Sequence, residues 1–463
     1  MSIPSQLLKS VCEPGGGRIV LVLGAGASMD PPTSLKSGAR VSIDAHQRLV
    51  DDGLLSAGDV AHDWDLAELA DVVWDKFGSQ RELTDRLPQH DWRMAKPNLG
   101  HHEAAALLAE GAVRSVLTIN YDLAQQHALV EIDDRSTMTT VVRGPEDTSS
   151  LSARTLVYLH RSCDADCEEW ILRASLIADT AIQVWETAVA DSILMAPVVV
   201  FVGLGSSAPI LSKTVSRLVA STGISCYLVD PVTPDPTDPD AFYSSLNGSA
   251  AHIPMTWCEF ASALADRLRD DAVRRLLGAG CARLIDLGGH SGAWPTIRAA
   301  MLKVPLHQLG RKRASWLLRP RSYCAETDVD NALLGDLIAA VAAVAEAAQA
   351  TSIALDGQGI VRISTAVGNT IPLRIASAAG LRTWSSVATE LSRELEGWAP
   401  PDYRLVLFSN PDETADLAPI DLVRAGDPAD LIRGADQVVA LGTAEVVSLA
   451  TTDAVALAKR ICA

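Results

Sequence analysis

RIVLVLGAGAS, residues 18–28, is the stretch on which the fold turns. Its five apolar residues Ile19 to Leu23 show no alternation with polar ones, the pattern of a strand buried on both faces inside a parallel sheet. Gly15 to Gly17 release the strand, and Gly24 and Gly26 end it in a tight turn. The same arrangement recurs downstream in AVRSVLTINYD (112–122), RTLVYLH (154–160), PVVVFVGLGSS (197–207) and ISCYLVD (224–230), each a short apolar run finishing on polar or glycine residues. Helical patterns separate them. HDWDLAELADVVWDKF (62–77) lies in a helical stretch over 41–87 and places Leu66, Leu69, Ala70, Val73 and Phe77 at helical spacing. A second helix follows Pro97 and Asn98 and stops at Gly111, and a third is expected over 174–190. Strand and helix in alternation predict an α/β fold with a doubly wound, Rossmann-like parallel sheet, whose ligands bind beyond the carboxyl ends of its strands.

PVTPDPTDPD (231–240) closes this pattern with four prolines. Residues 266–350 then read as mainly helical, a connector, and 351–463 as a small α/β domain with strands in SIALDGQGIVRIST, TIPLRIA, YRLVLFSN and QVVALGT and a helix in TWSSVATELSREL. The whole chain, 463 residues with 48% hydrophobic and 21% charged, is long and apolar enough for two or three globular domains. Its net charge of −18 argues against nucleic acid or an anionic membrane as a direct partner. More than half of that charge comes from residues 323–463, with 19 acidic against 9 basic side chains. A local basic cluster, GRKRASWLLRPRS (310–322), reads as a solvated face or a patch for an acidic partner, with nucleic-acid contact as the alternative. No apolar run reaches membrane-helix length and the N-terminus has no signal-peptide pattern, so a cytoplasmic location is expected. The eight scattered cysteines read as reduced thiols.

Two glycine turns follow strands. GLGSSA (203–208) fits G-x-G-x-x-G/A, with Asp230 ending the next strand where a carboxylate can accept ribose hydroxyls; alone, it would suggest a nicotinamide-dependent dehydrogenase. GAGAS (24–28) is followed by Met29, which breaks that pattern. Glycine lets backbone N–H groups approach a pyrophosphate in either turn, and two such turns in one sheet point to a dinucleotide.

Over residues 15–265 the chain resembles the sirtuin family, on four motifs in the family's order: GAGAS, PNLGHH (97–102), TINYD (118–122) and YLH ending at His160. TINYD, GLGSS and Trp257 make it more similar to the bacterial sirtuin-like effectors of phage defence. The resemblance implies NAD as substrate and an NAD hydrolase that releases nicotinamide and ADP-ribose. It implies His160, Asn120 and Asp122 as catalytic residues, with Asn120 on the nicotinamide ribose and Asp122 on the carboxamide. Gly24, Ala25, Gly26 and Ser28 would hold the pyrophosphate, Thr118 of TINYD would be a further cofactor-binding residue, Gly203, Gly205 and Ser206 would contact phosphate and ribose, and Asp230 the adenosine ribose. A homo-oligomer or a protein partner within a defence system is implied as well.

This chain also departs from the family. Deacylase sirtuins follow their histidine with glycine and carry a four-cysteine zinc module; here Arg161 follows His160 and only Cys163 and Cys167 lie nearby, so no zinc is expected. The segment after GAGAS lacks the family's P-D-F-R run, for which Arg40 could substitute, and Ala208 stands where defence-type sequences often have aspartate. The readings left beside the hydrolase are an NAD-dependent protein deacylase and a non-catalytic nucleotide-binding module in a larger complex. His101 reads either as a brace for its helix or as a site residue, and Trp257 as core or as a neighbour of adenine.

Overall fold

The structure is a computed structural model that describes residues 3–13, 17–133, 139–151, 154–178, 184–205, 209–238, 241–317, 319, 322–356, 359–377, 404–408, 438–440 and 443–462. The chain divides into two units, residues 1–131 with 136–267 and residues 132–135 with 268–463.

The first unit is built on β1 (Ile19–Leu23), β2 (Val113–Thr118), β3 (Thr140–Val142), β4 (Thr155–Tyr158), β5 (Val198–Val202), β6 (Ser225–Val229) and β7 (Ala250–Ile253). They form one sheet in the order β3-β4-β2-β1-β5-β6-β7, with every pairing parallel. This is the doubly wound α/β architecture expected from the sequence. β1 is the central strand, and all five of its residues are buried, which is why its apolar run is unbroken. From β1 the chain goes outward to β2 and on to the edge strand β3, steps back to β4 between β2 and β3, then crosses to β5 on the other side of β1 and continues through β6 to β7. The winding reverses between β1 and β5, and the crevice at their carboxyl ends is the topological switch point where such sheets take ligands.

Local sequence explains the helices that cover the sheet. Leu66–Phe77 starts at Asp65, whose carboxylate accepts from the N–H groups of Ala67 and Glu68, and stops at Gly78 in the left-handed conformation. The helical stretch expected over 41–87 is broken into Gly38–Asp51, Leu66–Phe77 and Arg81–Thr84. Within 174–190 the structure has Ala174–Ala178 and the start of Val184–Leu194, with 179–183 outside the described residues. Edge strands β3 and β7, of three and four residues, are too short for a strand pattern to show in the sequence.

The second unit carries β8 (Ala350–Leu355), β9 (Val361–Thr365), β10 (Thr370–Ser377), β11 (Arg404–Phe408) and β12 (Val438–Ala440) in the order β12-β11-β10-β9-β8. β8, β9 and β10 form an antiparallel meander, while β10, β11 and β12 are parallel. Val273, Leu284, Trp316, Leu337, Ile363 and Val446 belong to one apolar core. The helices of 266–350, expected as a connector, thus share a core with the strands beyond 350. The expected helix in TWSSVATELSREL lies outside the described residues.

The basic cluster is corrected here. Lys312 and Arg313, on the helix Leu306–Trp316, are 4% and 1% exposed, whereas Arg311 and Arg319 are exposed, so only part of this strip is a solvated face. Burial lowers the pKa of Lys312, and its ammonium donates to the carbonyl of Asp356 at 2.5 Å. Arg319 pairs with Asp330 at 2.9 Å, and Arg321 lies outside the described residues. Among the described residues no helix is long and apolar enough to cross a membrane.

Candidate functional site

Register brings the motifs together. Leu23 on β1 pairs with Thr118 on β2 and with Val202 on β5, Thr118 with Tyr158 on β4, and Val202 with Val229 on β6. The strands therefore end level. Gly24, Gly203 and Asp230 each lie one residue past these pairs, and Asn120 and His160 lie two past. All occupy the carboxyl edge of the sheet.

The two glycine turns meet at the switch point. Gly24 N–H donates to Val202 O at 2.9 Å, and Gly26 N–H donates to Gly203 O at 3.0 Å. A Cβ on Gly24 would come within 2.7 Å of Gly203 O, one on Gly26 within 2.5 Å of Gly203 Cα, and one on Gly203 within 2.7 Å of Ala27 N. Gly203 also has a φ of +62°, in the left-handed region. These three glycines are thus required by backbone packing between the turns. Gly205 is exposed and has no such neighbour, and Ser206 and Ala208 lie outside the described residues.

Around this contact the polar side chains are organised by hydrogen bonds. Asn120 Nδ2 donates to Gly24 O at 2.9 Å, with no donor to its Oδ1 among the described residues, while Asn120 N–H donates to Thr118 Oγ1 at 3.0 Å. Thr118 Oγ1 in turn donates to Leu23 O at 3.3 Å. Buried Asp122 accepts from Ser28 Oγ at 2.8 Å and from Ala124 N–H at 3.0 Å. Burial pushes its carboxyl above the usual range, and those two hydrogen bonds oppose the shift. Ser28, also buried, is committed to Asp122 and braces the turn from beneath, whereas Ala25 is exposed at its tip.

His160 is half-buried and makes no hydrogen bond through its ring among the described residues. Burial, reinforced by the Arg161 guanidinium, lowers its pKa to about 4, so the imidazole is neutral near pH 7. Arg161 takes a φ of +73°, a conformation that glycine adopts without strain. Its guanidinium holds Glu186, which is buried, at 3.1 Å and lies 5.0 Å from the Trp185 ring centroid. Two residues before His160, the fully buried Tyr158 hydroxyl has no hydrogen-bond partner among the described residues.

The remaining expected residues fall as follows. Asp230 is half-buried, and its Oδ1 accepts from Val232 N–H at 2.8 Å, an Asx turn, with no donor to Oδ2 among the described residues. His101 is 1% exposed and lies in a capping box with Asn98; burial lowers its pKa to about 3, so it braces its helix. Trp257 is 3% exposed, packed against Gly100 with its ring plane at 71° to that of His101, and is a core residue. Arg40 is exposed and pairs with Asp44 at 3.1 Å on its own helix. Cys163 is buried, which pushes its thiol up to about 12. Among the described residues no group of three His, Cys, Asp or Glu side chains is placed to hold a metal ion.

Asn98, Glu186, Trp92 and Trp170 have structural roles that the sequence reading does not assign. Asn98, fully buried, donates to Ala27 O at 2.9 Å and so ties PNLGHH to GAGAS. Glu186 anchors Arg161, and the rings of Trp92 and Trp170 flank Tyr121. Each acts on a residue at least 25 positions away, and only the folded chain makes them neighbours.

No family model and no curated protein matches the chain. Among solved structures it is similar to a Sir2 homologue in complex with NAD, at 15% identity and a TM-score of 0.34 over 58% of this chain and 95% of that one. It is also similar to a variant Sir2 homologue with ADP-ribose, at 16% identity and a TM-score of 0.33 over 58% and 98%, and to a Sir2 complex with a p53 peptide and NAD+, at 15% and 0.31 over 57% and 98%.

Proposed function

We propose that this site cleaves NAD to nicotinamide and ADP-ribose. The observation that carries the reading is the meeting of two glycine turns at the switch point, with Asn120, Asp122 and His160 on the adjoining strand ends. Backbone at close approach is what a pyrophosphate requires, and it is assigned here to Gly24, Ala25, Gly26 and Gly203, with Ser28 supporting. Asn120 Oδ1 is the open acceptor for the nicotinamide ribose or a water, Asp122 faces the carboxamide, and Asp230 Oδ2 is open to the adenosine ribose.

The reaction asks little of acid catalysis, because the electron pair of the broken glycosidic bond returns to the pyridinium ring and nicotinamide leaves neutral. Attack by water at the ribose carbon releases one proton. His160, neutral and with no ring partner among the described residues, accepts it, a role worth about 100- to 10,000-fold in rate. Half-burial limits bulk water while one oriented water suffices. In this reading the enzyme is an effector of bacterial antiphage defence, acting as an oligomer or with a protein partner in the cytoplasm. Residues 266–463 are its regulatory part, because unregulated NAD cleavage harms its own cell.

Nicotinamide release by the full chain, with and without extract of infected cells, tests the proposal; His160→Ala and Asn120→Ala should each lower it at least about 100-fold. The mutual commitment of Ser28 and Asp122 favours one second reading, a nucleotide-binding module without turnover. NAD binding with no nicotinamide release under every condition would select that module. Deacylation of an acetyl-lysine peptide would select the deacylase.

A further inference from the structure

Three segments that carry the site are joined outside it, around one ring. Tyr121 lies between Asn120 and Asp122 in sequence, and its ring is stacked on Trp92, with centroids 5.5 Å apart and planes at 22°, and on Trp170, at 5.1 Å and 30°. Trp92 and Trp170 also meet each other at 5.9 Å, and both are buried. The Tyr121 hydroxyl donates to Ile171 O at 2.8 Å.

Main-chain hydrogen bonds join the same three segments. Leu123 N–H donates to Trp92 O at 3.1 Å, and Cys163 N–H donates to Tyr121 O at 2.8 Å. Arg93 Nη2 donates to Cys163 O at 2.8 Å, and Gln80 Nε2 to Trp170 O at 3.1 Å. The rings thus hold the 120–122 turn to the loop that follows His160. Within that turn the contacts divide: Asn120 and Asp122 engage Gly24 and Ser28, while Tyr121 engages the tryptophans. Rotation of the turn would move all three side chains together, so whatever holds Tyr121 also sets the aim of its neighbours.

We infer that Tyr121 is a positioning residue: packed in a triangle of rings with Trp92 and Trp170, it locks the Asn120–Asp122 turn to the loop after His160 and keeps those three side chains in register. Only the kinetic part of the test rests on the NAD-cleaving reading. Stacked rings clamp without titrating, so the device is independent of pH.

The test compares full-length Tyr121→Leu, which removes the ring, with Tyr121→Phe, which keeps it. Amide hydrogen exchange should rise at least about tenfold in Tyr121→Leu over both 118–124 and 161–173 while β5 and β6 keep their protection, and near-ultraviolet circular dichroism from the stacked rings should fall. In Tyr121→Phe the dichroism and the protection of 118–124 should return. Nicotinamide release should lose about tenfold in kcat in Tyr121→Leu with KM within about threefold, and Tyr121→Phe should restore it. Exchange that rises in one segment only, or a Tyr121→Leu enzyme with wild-type kcat, overturns the proposal. Should the wild type release no nicotinamide, the NAD reading fails and exchange with dichroism alone decides the clamp. If Tyr121→Leu does not fold, Trp170→Leu is read by the same criteria.

Discussion

His160 shows how a side chain's surroundings alter the chemistry its identity suggests. A free imidazole titrates near 6.5, but burial and the neighbouring Arg161 bring this one to about 4. The imidazole is therefore unprotonated across the neutral range, and in the proposed role of base it gains availability at the expense of basicity. The expected consequence is a kcat/KM for nicotinamide release that is flat from pH 8 to about 5 and falls only toward pH 4. Replacing Arg161 by Gln removes a like charge and should move that acid limb up toward 6.5. A limb already at 6.5 in the wild type would show that His160 is not the titrating base. His101 titrates with the same sign in stability: the unfolded chain takes up its proton below about 6.5 and the folded one only near 3, so the melting temperature should fall as pH drops through that window. The sequence revealed His160 by its place at a strand end. It gave no hint of Glu186, which holds Arg161 from 25 residues away, nor of the φ of +73° that the Arg161 backbone adopts.

At the scale of elements, the strand-to-turn units were legible because their cause is local. An unbroken apolar run needs cover on both faces, and glycine at its end needs a tight turn. The reason for particular glycines was not local. Gly24 and Gly26 read as ligand-facing residues, yet a Cβ on either one would strike the backbone of Gly203, 177 or more residues later. Gly203→Ala should therefore cost roughly 3 kcal/mol in chemical denaturation, from left-handed strain and collision with the Gly26–Ala27 backbone. Gly205→Ala, with nothing within 4 Å of its Cβ, should leave stability nearly unchanged. Equal losses in both variants would mean that the turns do not meet as described. The short strands β3 and β7 escaped sequence reading because edge strands of three or four residues offer too few side chains for any periodicity.

For the whole molecule, charge was the property most easily misread from sequence. GRKRASWLLRPRS is a run of cations in a chain of net charge −18, and it invites a binding role. Folding instead buries Lys312 and Arg313 in the second unit, where Lys312 donates to the carbonyl of Asp356. The full chain should therefore pass unretained over immobilised duplex DNA or heparin at about 0.15 M salt; retention that Arg311→Ala abolishes would return the strip to the role of a polyanion site. What the sequence determined by itself was the alternation of strand and helix in the first unit and the residue types at the strand ends, because hydrophobic period and glycine punctuation act over a few residues. Only the tertiary structure decided which ends lie side by side, that the two glycine turns touch, that Tyr121 packs against rings 29 residues upstream and 49 downstream, and that Lys312 and Arg313 of the basic run are buried. Those are outcomes of strand order, register and burial, which depend on pairings between distant segments that no local pattern encodes.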